Sequence, residues 1–310
     1  MLAVVGEAVI DLIQDDDGRY TAHTGGSPLN VAVGLARLGE QVSLLARLSR
    51  SAFGRRLREH AEASGVDLAR AVEAGEPASL AVVGLTPDGS AEYDFYVTGT
   101  ADWQWAQGEL EPLPAAAQVL HTGSLACFLP PGAARVEAAM RSARTAGLLV
   151  SFDPNVRPAL LGPPEAAREH VERLITHCHV VKASEQDVAW LYPGESPGAV
   201  ARRWLAAGPC LVLLTLGAAG ALAVTRRVAI ERPAPRVRVA DTVGAGDAFT
   251  AGLLSSLVRR NLVEPDTLRA VAPEVLSSVL DDAITVAALT CTRPGADPPG
   301  RGDVDRFLGT

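Results

Sequence analysis

Lysine is almost absent from this 310-residue chain: Lys182 stands alone, and every other cationic side chain apart from histidine is arginine. A Walker A loop, which needs a Gly-Lys-Ser/Thr ending, is therefore excluded. Any phosphate must be held by backbone amides and arginine instead. Cysteine is sparse too. Cys127, Cys178, Cys210 and Cys291 are widely spaced with no CxxC pair, which reads as a reduced, cytoplasmic chain with buried thiols rather than a disulfide framework. His177, Cys178 and His179 cluster but lack a partner pair at zinc spacing, so a helix-to-strand junction is the expectation there. Met1 to Ile10 has no basic segment of the kind that opens a signal peptide. The charge-free run Trp204 to Thr225 is long enough to span a membrane. However, Gly208, Pro209, Gly217 and Gly220 break it into a helix end, a buried strand, a glycine turn and a second strand. A net charge of −8 and a pI of about 5.3 argue against a nucleic-acid partner.

What is present is concentrated at Asp241 to Phe249, which reads Asp-Thr-Val-Gly-Ala-Gly-Asp-Ala-Phe. Val237 to Ala240 reads as the end of a strand, and Ala248 to Val258 as a buried helix. The stretch between is then a tight strand-to-helix turn. Glycine there permits positive φ and close approach to a ligand. The N–H groups of Gly244, Ala245 and Gly246 open the helix, where the dipole favours an anion. Asp247 sits at the mouth of this hole. A carboxylate is a poor partner for a phosphate but a suitable base for a hydroxyl that attacks one. A dinucleotide-binding turn would need glycine at the position of Phe249. A structural glycine-rich helix start is the other alternative.

The remainder alternates in α/β fashion and predicts a parallel sheet wound with helices. Leu2 to Ile10 reads as the first buried strand, placing Asp11 at its carboxyl end, where ligands collect in open α/β sheets. Hairpins are predicted around Asp17-Gly18 and around Thr86-Pro87-Asp88-Gly89. The acidic run Asp15 to Asp17 is read as a solvated hairpin tip rather than a metal site. Past the second turn Tyr93, Phe95 and Val97 alternate with Glu92, Asp94 and Tyr96. Two hairpins of this kind predict a small β-sheet standing off the core. Helices are expected near Leu29–Leu38, Phe53–Ser64, Ala133–Ala146, Pro164–Thr176, Glu185–Leu191 and Gly198–Ala207. The tail from Arg293 to Gly302 reads as structureless. Trp103 and Trp105 are read as packing, with one ring able to reach a substrate.

Three further segments carry candidate chemistry. Gly25-Gly26-Ser27-Pro28-Leu29-Asn30 opens a helix, with Pro28 suited to its first turn and Asn30 one turn in. Asp153-Pro154-Asn155-Val156-Arg157 follows a core strand, and Arg157 can neutralise a phosphate or hold a sugar; a structural turn is the alternative. Lys182-Ala183-Ser184-Glu185-Gln186-Asp187 follows the next strand, with Ser184 a candidate helix cap.

Together these segments resemble the PfkB, or ribokinase-like, carbohydrate kinase family over almost the whole chain. The C-terminal signature of that family, Asp-Thr-x-Gly-Ala-Gly-Asp, matches Asp241 to Asp247, and its N-terminal glycine pair followed by asparagine matches Gly25, Gly26 and Asn30. The resemblance implies one kinase domain over residues 1–310, a three-layer α/β/α core, and a β-sheet lid from about 12–24 and 80–103. It implies Asp247 as catalytic base, with Gly244, Ala245 and Gly246 as the anion hole. Sugar hydroxyls would meet Asp11, Gly25, Gly26, Asn30, Phe95, Arg157 and Asp247. ATP would lie along Ser184, Thr215, Gly217, Gly220, Gly244 and Gly246. Magnesium would be organised by Asp187 through water, since Ser184 and Asp187 stand where the family carries Asn-x-x-Glu. Potassium is a further candidate, with Asp241 and Val243 as ligands beside the Thr290–Ala296 loop. A homodimer through the lid is also implied. Ser27-Pro28-Leu29-Asn30 with Arg157 is similar to fructokinases, so fructose 6-phosphorylation is expected. 2-Keto-3-deoxygluconate, ribose or a nucleoside are the alternative acceptors. A sugar- or nucleotide-binding regulator is the non-enzyme alternative.

Overall fold

A computed structural model describes residues 1–15, 17–85 and 91–309. The turn expected at Thr86 to Gly89 and the middle of the acidic run, Asp16, lie outside the described residues, as do the side chains at 85 and 91–93. The strands are β1 (Leu2–Val5), β2 (Val9–Gln14), β3 (Tyr20–Gly25), β4 (Val42–Leu45), β5 (Arg47–Ser49), β6 (Val72–Ala74) and β7 (Leu80–Leu85). They continue as β8 (Ala91–Tyr96), β9 (Val119–Gly123), β10 (Leu149–Asp153), β11 (Val180–Ser184), β12 (Leu211–Thr215), β13 (Ala221–Val224) and β14 (Ala229–Arg232). The helices are α1 (Ser27–Arg37), α2 (Ala52–Ala63), α3 (Ala133–Thr145), α4 (Pro158–Leu161), α5 (Pro164–Ile175) and α6 (Glu185–Leu191). After them come α7 (Pro197–Ala206), α8 (Ala245–Arg259), α9 (Pro265–Arg269), α10 (Pro273–Thr290) and α11 (Arg301–Leu308).

Eight strands form the central sheet in the order β14-β13-β12-β11-β10-β9-β1-β4. Those from β12 to β4 run parallel, and β13 and β14 are antiparallel additions at one edge. The parallel strands are near-continuous apolar runs because both faces are covered. Successive side chains feed opposite cores: Leu2 and Val4 pack with α1, α8 and α10, whereas Ala3 and Val5 pack with α3, α5, α6 and α7. This is the expected three-layer α/β/α arrangement.

Four elements differ from the sequence expectation. Leu2 to Ile10 is not one strand. The chain leaves the central sheet after Val5 and turns at Gly6, whose φ is +153°; a side chain there would collide with Pro28. It then enters β2 of a second sheet, so Asp11 lies on that sheet rather than at the end of a core strand. Val237 to Ala240 is not a strand. Pro233 and Pro235 cannot donate to a ladder, and the amide of Ala240 is satisfied instead by the carbonyl of Cys291 at 2.8 Å. The tail is irregular only to Gly300, after which α11 forms. Finally, α10 was unforeseen. Its apolar residues recur almost all round because it packs against both α8 and the central sheet, which weakens the one-sided periodicity a sequence reading relies on.

The second sheet has the order β3-β2-β7-β8, as the two expected hairpins implied. In its register Asp11 pairs with Ala81, and Ala81 with Phe95. These three side chains therefore share one face. Tyr20 and Tyr96 belong to the opposite face and are 50% and 59% exposed. Trp103 and Trp105 are buried among Leu110, Leu125 and Val136, which is the packing role.

Candidate active site

The carboxyl ends of the parallel strands form a rim. Asp153 ends β10, Ser184 ends β11 and Thr215 ends β12, with Ser184 directly beside Thr215. Helix α8 delivers the anion hole to this rim. Gly244 is its cap in the left-handed conformation, φ +74°, and a Cβ there would stand 2.6 Å from that of Ala296. Glycine is thus required on both conformational and steric grounds. One detail differs from expectation: the Ala245 amide is turned back onto the carbonyl of Thr242 at 3.2 Å. Gly244 and Gly246 are left to supply the open donors.

Asp247 is buried one turn into α8, and both its oxygens are engaged. Ser27 Oγ donates to Oδ1 at 2.6 Å, and Asn30 Nδ2 donates to Oδ2 at 2.8 Å. Both donors come from the first turn of α1. Close helix packing brings them there: a Cβ on Gly34 would lie 2.7 Å from that of Ala251, so α1 and α8 approach more closely than larger residues would allow.

The second sheet contributes Asp11 and the half-buried Phe95, which share one of its faces. The absence of a side chain at Gly25 leaves room for the Asp11 carboxylate, since a Cβ there would stand 2.2 Å from Oδ2. Burial raises the Asp11 carboxyl to about 6, opposed by Arg157 and reinforced by Asp247. Arg157 therefore belongs to the same site. Its guanidinium is steadied by Asn155, whose Oδ1 accepts at 2.6 Å, and Asn155 itself adopts φ +37°.

The sequence reading treated the one lysine only as an absence. In the structure it is buried beneath the anion hole. Lys182 Nζ donates to Asp153 Oδ2 at 2.7 Å, with both side chains at most 5% exposed, and a Cβ on Gly246 would come within 3.0 Å of Nζ. Burial pushes Asp153 up to about 6; Lys182 opposes this while Asp187 and Asp247 add to it. Burial lowers Lys182, but the surrounding carboxylates outweigh it and leave its pKa raised. Ser27 was the other omission. A serine between a glycine and a proline has no spacing signal that points 220 residues ahead.

Asp187 performs structural work. Its Oδ2 accepts from the Ser184 amide (2.8 Å) and hydroxyl (2.7 Å), its Oδ1 from the Val156 amide (2.9 Å), and Ser184 caps α6 in return. Among the described residues no group of three or more His, Cys, Asp or Glu could cage a metal ion. Asp153, Asp187 and Asp247 nonetheless leave an excess of negative charge over one ammonium. This suits a magnesium ion that arrives with phosphates and waters, its usual mode.

Thr215, Gly217 and Gly220 form the turn between β12 and β13. Gly220 has φ +105°, and a Cβ would stand 2.0 Å from the Arg232 carbonyl oxygen. Gly217 faces open space. Asp241 ties two loops together, accepting from the Val243 amide (3.0 Å) and the Gly295 amide (2.8 Å). The 241–243 and 291–296 segments are thereby adjacent, and Val243 is exposed beside them.

An amide anion hole at the start of α8, a buried carboxylate within it, and Asp11 and Arg157 close enough to one another and to Asp247 for their charges to interact are the arrangement a carbohydrate kinase needs. The pfkB family carbohydrate kinase model matches residues 1–300, and the chain belongs to that family. Fructokinase of Klebsiella pneumoniae is 36% identical over 309 residues, covering 98% of both chains. The crystal structure of fructokinase with bound ATP from Xylella fastidiosa superimposes with a TM-score of 0.90 at 29% identity, covering 100% of this chain and 99% of that one. A Vibrio cholerae fructokinase double mutant, bound to fructose, ADP and potassium ion, gives 0.87 at 29% identity, covering 99% and 97%.

Proposed function

We propose that this chain transfers the γ-phosphoryl group of ATP to a sugar hydroxyl, with fructose as acceptor at its 6-hydroxyl. The observation that carries the reading is Asp247, a buried carboxylate at the mouth of the Gly244–Gly246 hole and near enough to Asp11 to raise its pKa. Asp11, Asn30 and the Gly25-Gly26 backbone hold the sugar hydroxyls, Phe95 supplies an apolar wall, and Arg157 fixes the charge of Asp11. Asp247 takes the proton from the attacking hydroxyl. The sugar oxygen bonds to the γ-phosphorus as the bond to the β,γ-bridging oxygen breaks, and ADP leaves. The Gly244 and Gly246 amides stabilise charge on the transferred group. Magnesium would neutralise charge between the phosphates, with Asp187 bearing on its water shell. The nucleotide lies along Ser184, Thr215, Gly217 and Gly220. Potassium is proposed at the carbonyls of Asp241 and Val243, supported by the adjacency of the 291–296 loop. The second sheet acts as a lid that excludes water, and its exposed Tyr20 and Tyr96 face is proposed to pair two copies. No described helix is long and apolar enough to cross a membrane.

The test is coupled ADP release with Mg-ATP and fructose, ribose, 2-keto-3-deoxygluconate, adenosine or no sugar. A response dominated by fructose is expected. A response dominated by another acceptor would refute the substrate. ATP binding without turnover on any acceptor would favour a regulator.

A further inference from the structure

The contact between Ser27 and Asp247 is the shortest approach to the base, and its chemistry differs from that of the other donor. Asn30 offers an amide, which does not yield its proton and can only anchor Oδ2. Ser27 offers an alcohol at 2.6 Å from Oδ1, the length of an O–H bond to a carboxylate. This is the same group, at the same distance, that an acceptor hydroxyl must bring to the base before it attacks. Ser27 is buried at 7% exposure, and Asp247 is the partner its hydroxyl has.

We propose that Ser27 is a resident surrogate for the acceptor hydroxyl: its hydroxyl holds Oδ1 of Asp247 and yields that oxygen when a sugar hydroxyl enters. This deepens the kinase reading and rests on it. Two consequences follow from the geometry. Oδ1 is the oxygen that receives the proton, because Oδ2 stays fixed by Asn30. Until a sugar hydroxyl displaces it, Ser27 also denies the base to water. Hydrolysis would require a water oxygen to attack the γ-phosphorus, its proton passing to Oδ1 while ADP departs, and Ser27 stands on that oxygen. Ser27 is thus a positioning residue that favours transfer to sugar over transfer to water.

The measurement is the ratio of ADP formed with Mg-ATP alone to ADP formed at saturating fructose, in Ser27→Ala and Ser27→Thr proteins. A hydrogen bond to a charged acceptor is commonly worth a tenfold effect or more. The ratio is expected to rise about tenfold in Ser27→Ala and to return toward the original in Ser27→Thr, which keeps the hydroxyl. The KM for fructose is expected to fall in Ser27→Ala as the competing hydroxyl is removed. A ratio within twofold of the original in Ser27→Ala, or a Ser27→Thr protein that behaves like Ser27→Ala, would overturn the proposal. So would a higher KM in Ser27→Ala, which would make Ser27 a sugar ligand instead. ATP-induced thermal stabilisation of each variant verifies folding. Failure of the unsubstituted protein to phosphorylate any acceptor is a separate result and bears on the kinase reading alone.

Discussion

Replacing Lys182 by methionine probes how the charged floor of the site is held. The Lys182–Asp153 pair is 2.7 Å long and almost wholly removed from water. Methionine keeps most of the volume but leaves Asp153 buried with no counter-ion and with Asp187 and Asp247 as neighbours. Breaking a buried ion pair from one side costs about 3–5 kcal/mol, which corresponds to a fall on the order of 5–15 °C in melting temperature. The pH dependence follows from Asp153. Its folded pKa, about 6, is already above the ordinary value, so its contribution is fully present below the unfolded pKa and is lost as pH rises through 6. Removing the ammonium drives the folded pKa higher still. The Lys182→Met penalty is therefore expected to be large at pH 7.5 and to shrink toward pH 5, where Asp153 accepts a proton. Urea and thermal unfolding at both pH values, followed by circular dichroism, measure it. Adding Asp153→Asn to Lys182→Met should recover part of the loss at pH 7.5. A penalty below about 1 kcal/mol at pH 7.5 would refute the reasoning, as would one that grows on acidification, because the pair would then not be holding a buried charge.

Asp247→Asn should lower kcat by about 10²–10⁴-fold while fructose and ATP binding largely survive; near-normal turnover would remove Asp247 as the base. Asp11, raised to about 6 by burial, should impose an inflection near that pH. The kcat/KM for fructose is expected to fall as the carboxylate protonates below it, and Asp11→Asn should abolish that inflection; an unchanged profile would separate Asp11 from sugar binding. Gly220→Ala places a Cβ 2.0 Å from the Arg232 oxygen at φ +105°. It should cost about 1–3 kcal/mol or more and weaken ATP-induced stabilisation; a melting temperature unchanged within a degree would show that the turn relaxes freely.

Much of this architecture was legible because it is written locally. Buried strands read as apolar runs, β2 and β3 are joined at Asp17-Gly18, and Ser184 with Asp187 forms the cap at the start of α6. The glycines at 25, 26, 220 and 244 marked close approaches that the structure contains. What escaped the sequence was set by contacts between distant segments. The turn at Gly6 looked like the middle of one strand because Leu2 to Ile10 is apolar apart from Gly6 and Glu7; Pro28 packing against Gly6 separates β1 from β2. The segment before Asp241 reads as the end of a strand, yet its amide hydrogen bonds lead to the Cys291 carbonyl rather than to a neighbouring ladder.

The sequence by itself determined the kinase motifs, the alternation of strands and helices, and the backbone positions that only glycine can fill, because each depends on residues a few positions apart. The tertiary structure decided how the charges are used. It set Lys182 against Asp153 under the anion hole, placed Asp11 on the second sheet near Asp247, and laid the Ser27 hydroxyl on the base. Hydrogen bonds and ion pairs are fixed by distance in space, and those distances exist only once α1 has packed on α8 and the second sheet stands over the strand ends.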